Sequence, residues 1–117
     1  MNMKNEALKK LEWIEFDSLD ELLKEGIYRE GVYVIWIETD VGQIALYVGQ
    51  GNINRRIDIH NRNEYIVEYY PSVSCAEVNY GEMDGIEKYL SEKLSPLFGE
   101  RWPNISPTPV NSPFDNN

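Results

Sequence analysis

One short stretch, YVGQGNINRRIDIH (47–60), holds a phenol, a glycine turn, two adjacent arginines and the chain's single histidine. A second tyrosine, Tyr33, stands upstream in GVY, and a carboxylate, Glu87, lies downstream. Histidine and tyrosine can accept or relay protons, arginine can hold an anion, and a carboxylate can hold a hard divalent cation. Acid–base work, anion binding and cation binding are all available if the fold brings these groups together.

Helical geometry separates the two arginines. Asn52 can cap a short helix from Ile53 to about Asn61. At about 100° per residue, Ile53, Arg56, Ile57 and His60 then share one side, and Arg55 points nearly opposite. Arg55 reads as a solvated charge. An arginine on an apolar face is costly unless it is paired or meets an anion. Arg56 is therefore expected to face a ligand or to pair internally, with Glu87 as a partner. His60 belongs to a proton network or is a satisfied helix-end residue, and a single histidine does not make a zinc site.

The tyrosines sit on strands. GVYVIWI and QIALYV are β-branched and aromatic, with TDVG as the turn between them, which reads as a hairpin. Side chains alternate faces, so Tyr33 goes with Ile35 and Tyr47 with Ala45. A turn centred near Asp40 or Val41 that gives an even cross-strand register would put both phenols on one face. The plainer reading is two half-buried sheet tyrosines.

Glu87 belongs to a helix expected over 85–95, capped by Asp84, with Ile86, Leu90, Leu94 and Leu97 as its apolar stripe. It lies at the edge of that stripe, whereas Lys88 and Glu92 lie on the far side. Such a carboxylate suits Mg²⁺ or Mn²⁺, or merely favours the helix dipole.

The elements that must hold these groups follow in order. Residues 4–12 are rich in helix formers. Asp17 or Ser18 opens a second short helix, with Glu21 completing a capping box and Gly26 stopping it. VSCAEVNY (73–80) alternates like a third strand after Pro71, and the segment beyond Phe98 carries Pro103, Pro107, Pro109 and Pro113. The outline is α–β–β–α–β–α with a proline-rich tail. It predicts an α/β class, an α+β sandwich with a small three-stranded antiparallel sheet flanked by helices. One domain spans 1–117, with its core at about 30–111, an N-terminal helical segment at 1–29 and the tail at 102–117.

Composition narrows the chemistry. Eleven Lys and Arg against 20 Asp and Glu give a net charge of −9, which argues against a general nucleic-acid coat. Positive charge concentrates at 47–62, where Arg55, Arg56 and Arg62 face Asp58 alone. The single cysteine, Cys75, excludes an internal disulfide and fits a reducing, cytoplasmic setting. It sits mid-strand and reads as an inert thiol. The amino terminus has no apolar run behind its lysines, and no segment approaches the roughly 20 apolar residues of a membrane span. GQGN lacks the Gly-Lys-Ser/Thr ending of a Walker phosphate loop.

GVY (31–33), YVG (47–49), Arg56, His60 and Glu87, in this order, resemble the GIY-YIG nuclease domain over roughly residues 30–111. The resemblance implies metal-dependent hydrolysis of phosphodiester bonds in nucleic acid, DNA first and RNA second. Tyr47 or Tyr33 would activate the attacking water, Arg56 would stabilise the pentavalent phosphate, and His60 would share the proton network. Glu87 would hold a single Mg²⁺ or Mn²⁺. Gly49, Gln50 and a late asparagine, Asn104 or Asn111, would contact substrate. Family nucleases typically take affinity from a separate nucleic-acid-binding domain. This chain shows none, so with a net charge of −9 an isolated domain is expected to need a protein partner, a homodimer or a small substrate. The rival reading is a catalytically inactive GIY-YIG fold serving as a protein-interaction or regulatory module, which the acidic surface and proline-rich tail favour.

Overall fold

The computed structural model describes residues 9–99 and 104–115. Strand β1 (Ile14–Phe16) leads into helix α1 (Leu19–Glu25), and β2 (Glu30–Thr39) and β3 (Gly42–Asn52) form a hairpin. Helices α2 (Ile53–His60) and α3 (Glu64–Val67) precede β4 (Ser72–Glu77), and a 3-10 turn at Tyr80–Glu82 runs into α4 (Met83–Leu94). The sheet has four strands in the order β1-β4-β2-β3, every neighbouring pair antiparallel. The α+β class holds, but the expected three strands become four.

Strand β2 is central, so Gly31 through Trp36 are all buried. Its unbroken apolar run feeds alternate side chains into two cores. Val32, Val34 and Trp36 pack with Ala45 and Val48 of β3 and with Met83, Ile86 and Leu90 of α4. Tyr33 and Ile35 pack on the other face with Leu46, Leu22 of α1, Ile53 and Ile57 of α2, and Ile66 of α3. Truncating a fully buried side chain such as Ile57 to alanine would cost about 2–5 kcal/mol.

One register detail sets the site. Trp36 pairs with Ala45, yet Ile35 pairs with Tyr47, so Leu46 is the extra residue of a β-bulge. The bulge changes the parity of the hairpin. Leu46 and Tyr47 both face the Tyr33 core, while Ala45 faces the opposite one. The expectation that Tyr47 shares a side with Ala45 is therefore corrected.

Local signals account for most helix ends. Ser18 Oγ accepts from the Glu21 amide, and Glu21 Oε1 accepts from the Asp17 amide. Gly26 ends α1 at φ 79°, a left-handed conformation that glycine adopts without strain. Asn52 Oδ1 caps α2 through the Arg55 amide.

The chain ends were read less well. Of the helix expected over 4–12, residues 4–8 lie outside the described residues, and Lys9 instead forms a parallel bridge with Val110 of the tail. Within 1–29 the described helix is α1 alone, and β1 adds to the sheet through Ile14–Cys75 pairing. Asp84 does not cap α4. The helix begins at Met83, directly on the 3-10 turn, and has no side-chain cap. Ser95 ends it in a left-handed conformation, so Leu97 leaves the stripe and is 58% exposed.

The described residues after α4 pack back on the sheet. The Leu97 and Phe98 amides donate to the carbonyls of Ala45 and Leu46, covering part of the outer edge of β3. Further along, Val110 is fully buried and Phe114 meets the Trp36 ring edge-on.

Candidate active site at the edge of the sheet

Tyr33 stands opposite Gly49 in the β2–β3 register, and its ring lies across that glycine. A Cβ on Gly49 would come within 2.3 Å of the Tyr33 hydroxyl oxygen. The glycine of YVG is thus a steric requirement of the buried phenol. Tyr47 stacks on Tyr33, with ring centroids 6.2 Å apart and planes at 9°. From α2, His60 closes the cluster, 4.3 Å from Tyr47 between ring centroids. The Tyr33 hydroxyl lies 2.8 Å from Nε2 of His60.

Electrostatics set the charge state of the pair. Burial first, and the Arg56 charge second, lower the His60 pKa to about 4. Burial pushes the Tyr33 phenol well above its ordinary value, against the pull of Arg56. Near neutral pH the imidazole is therefore uncharged, and it shares one hydrogen bond with the Tyr33 hydroxyl whose direction follows the imidazole tautomer. Tyr33 is sealed from solvent, whereas Tyr47 is half-buried and reachable.

Arg56 joins both phenols. Hydrogen bonding with Tyr33, opposed by burial, raises the guanidinium pKa, and Tyr47 adds to the effect. The Arg56 stem runs close to Gly51, where a Cβ would lie 3.2 Å from Cγ. Its Nε is buried without a hydrogen-bond partner among the described residues. A buried donor without a partner is costly, although the guanidinium as a whole is partly exposed and hydrogen-bonded to both phenols. The expected ion pair with Glu87 does not form. The described ion pairs are Lys9–Glu82, Arg29–Glu77 and Arg62–Asp58. Arg55 is exposed, as helical geometry required.

Glu87 comes from α4, which packs on the other face of the sheet. Because β3 is an edge strand, side chains from both faces can meet around it. Gln50, near the end of β3, donates from Nε2 to Oε1 of Glu87 at 2.8 Å and also to Oδ1 of Asp84. Burial raises the Glu87 pKa, the Gln50 hydrogen bond opposes that, and the charges of Asp84 and Arg56 act in opposite senses. The Arg56 charge thus reaches Glu87 without an ion pair between them.

Tyr33, Tyr47, Arg56 and His60 converge, then, with Gly49 beneath them and Gln50 and Glu87 beside them. The late asparagines do not join them. The Asn111 amide is spent on the Leu11 backbone, accepting from its N–H at 2.6 Å and donating to its carbonyl at 3.1 Å. Asn104 is exposed in an irregular stretch. Cys75 is buried, and burial raises its thiol to about 11, which keeps it unreactive. Asp84 was missed because it was read as a cap. Its spacing of three residues from Glu87 places both carboxylates on one helix face.

A divalent cation, implied by the resemblance, fits the donor chemistry at Glu87. The carboxylate is half-buried and has no cationic side chain paired with it. No group of three or more His, Cys, Asp or Glu residues suited to a metal occurs among the described residues. The remaining ligands would have to be water and substrate, as Mg²⁺ commonly prefers.

No family model matches the chain, and no curated protein or solved structure does. Among the described residues, no helix is long and apolar enough to cross a membrane.

Proposed function

We propose that the chain is a small GIY-YIG-like nuclease that hydrolyses phosphodiester bonds, DNA first and RNA second, with Mg²⁺ or Mn²⁺. The observation that carries this reading is the convergence of Tyr33, Tyr47, His60 and Arg56 beside an unpaired Glu87. Tyr47 is the phenol that substrate water can reach. Tyr47 lies beside the Arg56 cation and takes or relays the proton of the attacking water. Tyr33 and His60 form the buried support that fixes the Tyr47 ring. Arg56, with Nε unspent, meets the charge that develops on the phosphate. A cation held by Glu87 would supply Lewis acidity on the leaving side.

The net charge of −9 opposes a polyanion, so affinity comes from a protein partner or a second copy of the chain. The buried free thiol of Cys75 suits the cytoplasm. Labelled single-stranded DNA, double-stranded DNA and RNA, incubated with Mg²⁺ or Mn²⁺ and with chelator, test the reading. Chelator-sensitive cleavage of at least one substrate is expected, and intact substrates throughout would refute it.

A second reading, a non-catalytic interaction module, draws on the exposed tyrosines. Tyr70 is 91% and Tyr65 72% exposed, with Glu64 and Glu68 beside them. Capture of a basic protein without any cleavage would favour it.

A further inference from the structure

Where the start of α1 meets the ends of α2 and α3, the surface holds a groove of about 480 Å³. That volume lies within the roughly 300–1,000 Å³ of ordinary ligand clefts. Leu19, Val67 and Pro71 give it an apolar floor, with Leu19 and Pro71 buried. Tyr70 lines it with a ring left almost wholly in water. An aromatic ring contributes its apolar faces only when something covers them. Three exposed carboxylates, Asp17, Asp20 and Glu68, complete the lining, and no Lys or Arg does. None of the three belongs to an ion pair among the described residues.

We propose that this groove seats an extended, arginine-bearing segment of a basic protein. The guanidinium lies against Tyr70 and the carboxylates, and the aliphatic atoms of the segment cover the floor. The proposal rests on the reading that the chain works with a protein partner, and it holds whether or not the chain cuts nucleic acid. Charge selects the occupant. Carboxylates without a cation among them repel a phosphate backbone and attract a cationic side chain. A planar guanidinium stacks on a phenol ring and forks onto carboxylates, which an ammonium does not, so arginine is preferred to lysine. Two copies of a chain with a net charge of −9 repel each other, which disfavours self-association.

The shape of the surface asks for an extended segment. Glu68 also borders a second depression, of about 280 Å³, where Tyr65 is exposed. An occupant that crosses Glu68 therefore meets both tyrosines. Asn61, in the groove, directly follows His60 and donates to Asp20 at 2.9 Å. A partner seated here lies at the end of the helix that carries Arg56 and His60. It brings to that helix the positive charge that the rest of the chain lacks.

Fluorescence anisotropy with a short labelled peptide of alternating arginine and alanine, and its lysine counterpart, tests this without nucleic acid. Tyr70 has a left-handed backbone at φ 52°, which asparagine tolerates, so Tyr70→Asn removes the ring with little strain. Circular dichroism confirms that each variant is folded. Tyr70→Asn should weaken binding of the arginine peptide at least about fivefold, and Asp20→Asn with Glu68→Gln at least about tenfold. Glu12→Gln with Glu92→Gln removes equal charge from exposed positions outside the groove and should change binding less than about twofold. The lysine peptide should bind more weakly than the arginine peptide. Equal weakening by both charge pairs would reduce the binding to general attraction and overturn the groove. No binding by the wild type, or Tyr70→Asn binding as tightly as wild type, would overturn it as well. A wild-type dimer in sedimentation that Tyr70→Asn dissociates would give the groove to a second copy and overturn the basic partner. The expected pattern in a protein that cuts nothing would support the groove and remove only the nuclease reading.

Discussion

The Tyr33 hydroxyl and Nε2 of His60 share a hydrogen bond of 2.8 Å, between a residue fully sealed from solvent and one only 7% exposed. The bond spans 27 residues of sequence and ties the central strand to the end of α2. It also sets the ring on which Tyr47 leans.

That bond makes a stability prediction for Tyr33→Phe. Removing the hydroxyl leaves a buried imidazole nitrogen unsatisfied, at a cost of about 1–3 kcal/mol. Tyr47→Phe, at a half-buried position, should cost less than about 1 kcal/mol but lower cleavage at least about 100-fold. Urea denaturation and a cleavage rate on both variants check the contrast. Equal stability losses, or a fully active Tyr47→Phe, would contradict it.

The neutral His60 predicts a pH dependence. Its pKa is lowered from 6.5 to about 4 on folding. As pH falls below about 6.5, the unfolded chain takes up this proton first, so stability from this source is full at higher pH and declines toward pH 4. Linkage puts the loss at about 2 kcal/mol between about pH 7.5 and pH 5. His60→Gln should remove that component, so the gap between wild-type and variant stabilities should narrow as pH falls. A gap that stays constant would sink the idea.

Gly49→Ala should destabilise by about 1–3 kcal/mol, since the new methyl meets the Tyr33 ring and hydroxyl. Gly81→Ala meets nothing within 4 Å and serves as the neutral comparison. Thermal melts of the two variants decide it, and similar midpoints would count against the steric account.

Asn111→Ala should lower stability by about 1–3 kcal/mol by freeing the Leu11 backbone, and leave the cleavage rate per folded molecule unchanged. A lost rate at unaltered stability would instead make Asn111 a substrate contact.

How much of this was legible depended on how local each cause was. The 3.6-residue period alone turned Arg56 inward and Arg55 outward, and Ser18, Gly26 and Asn52 carry their capping chemistry in their own side chains. The shared face of Tyr33 and Tyr47 was foreseen, but for an incomplete reason. The bulge at Leu46 depends on packing across the whole hairpin and has no signature in the residues themselves. Strand β1 is short and gains its pairing from β4, some 60 residues away, which no local pattern announces. The Lys9–Val110 bridge, likewise non-local, holds Lys9 outside any helix despite its helix-forming neighbours. Asp84 has a capping residue's type, yet the preceding 3-10 turn starts the helix earlier and frees its carboxylate for Gln50.

Nicking of supercoiled plasmid DNA with Mg²⁺ tests the central claim most directly, comparing wild type with Arg56→Ala and Glu87→Ala. The account predicts relaxed circles from the wild type, stopped by chelator, and a rate at least about 100-fold lower for each variant. Plasmid left supercoiled by the wild type, or nicked equally by all three proteins, would contradict it.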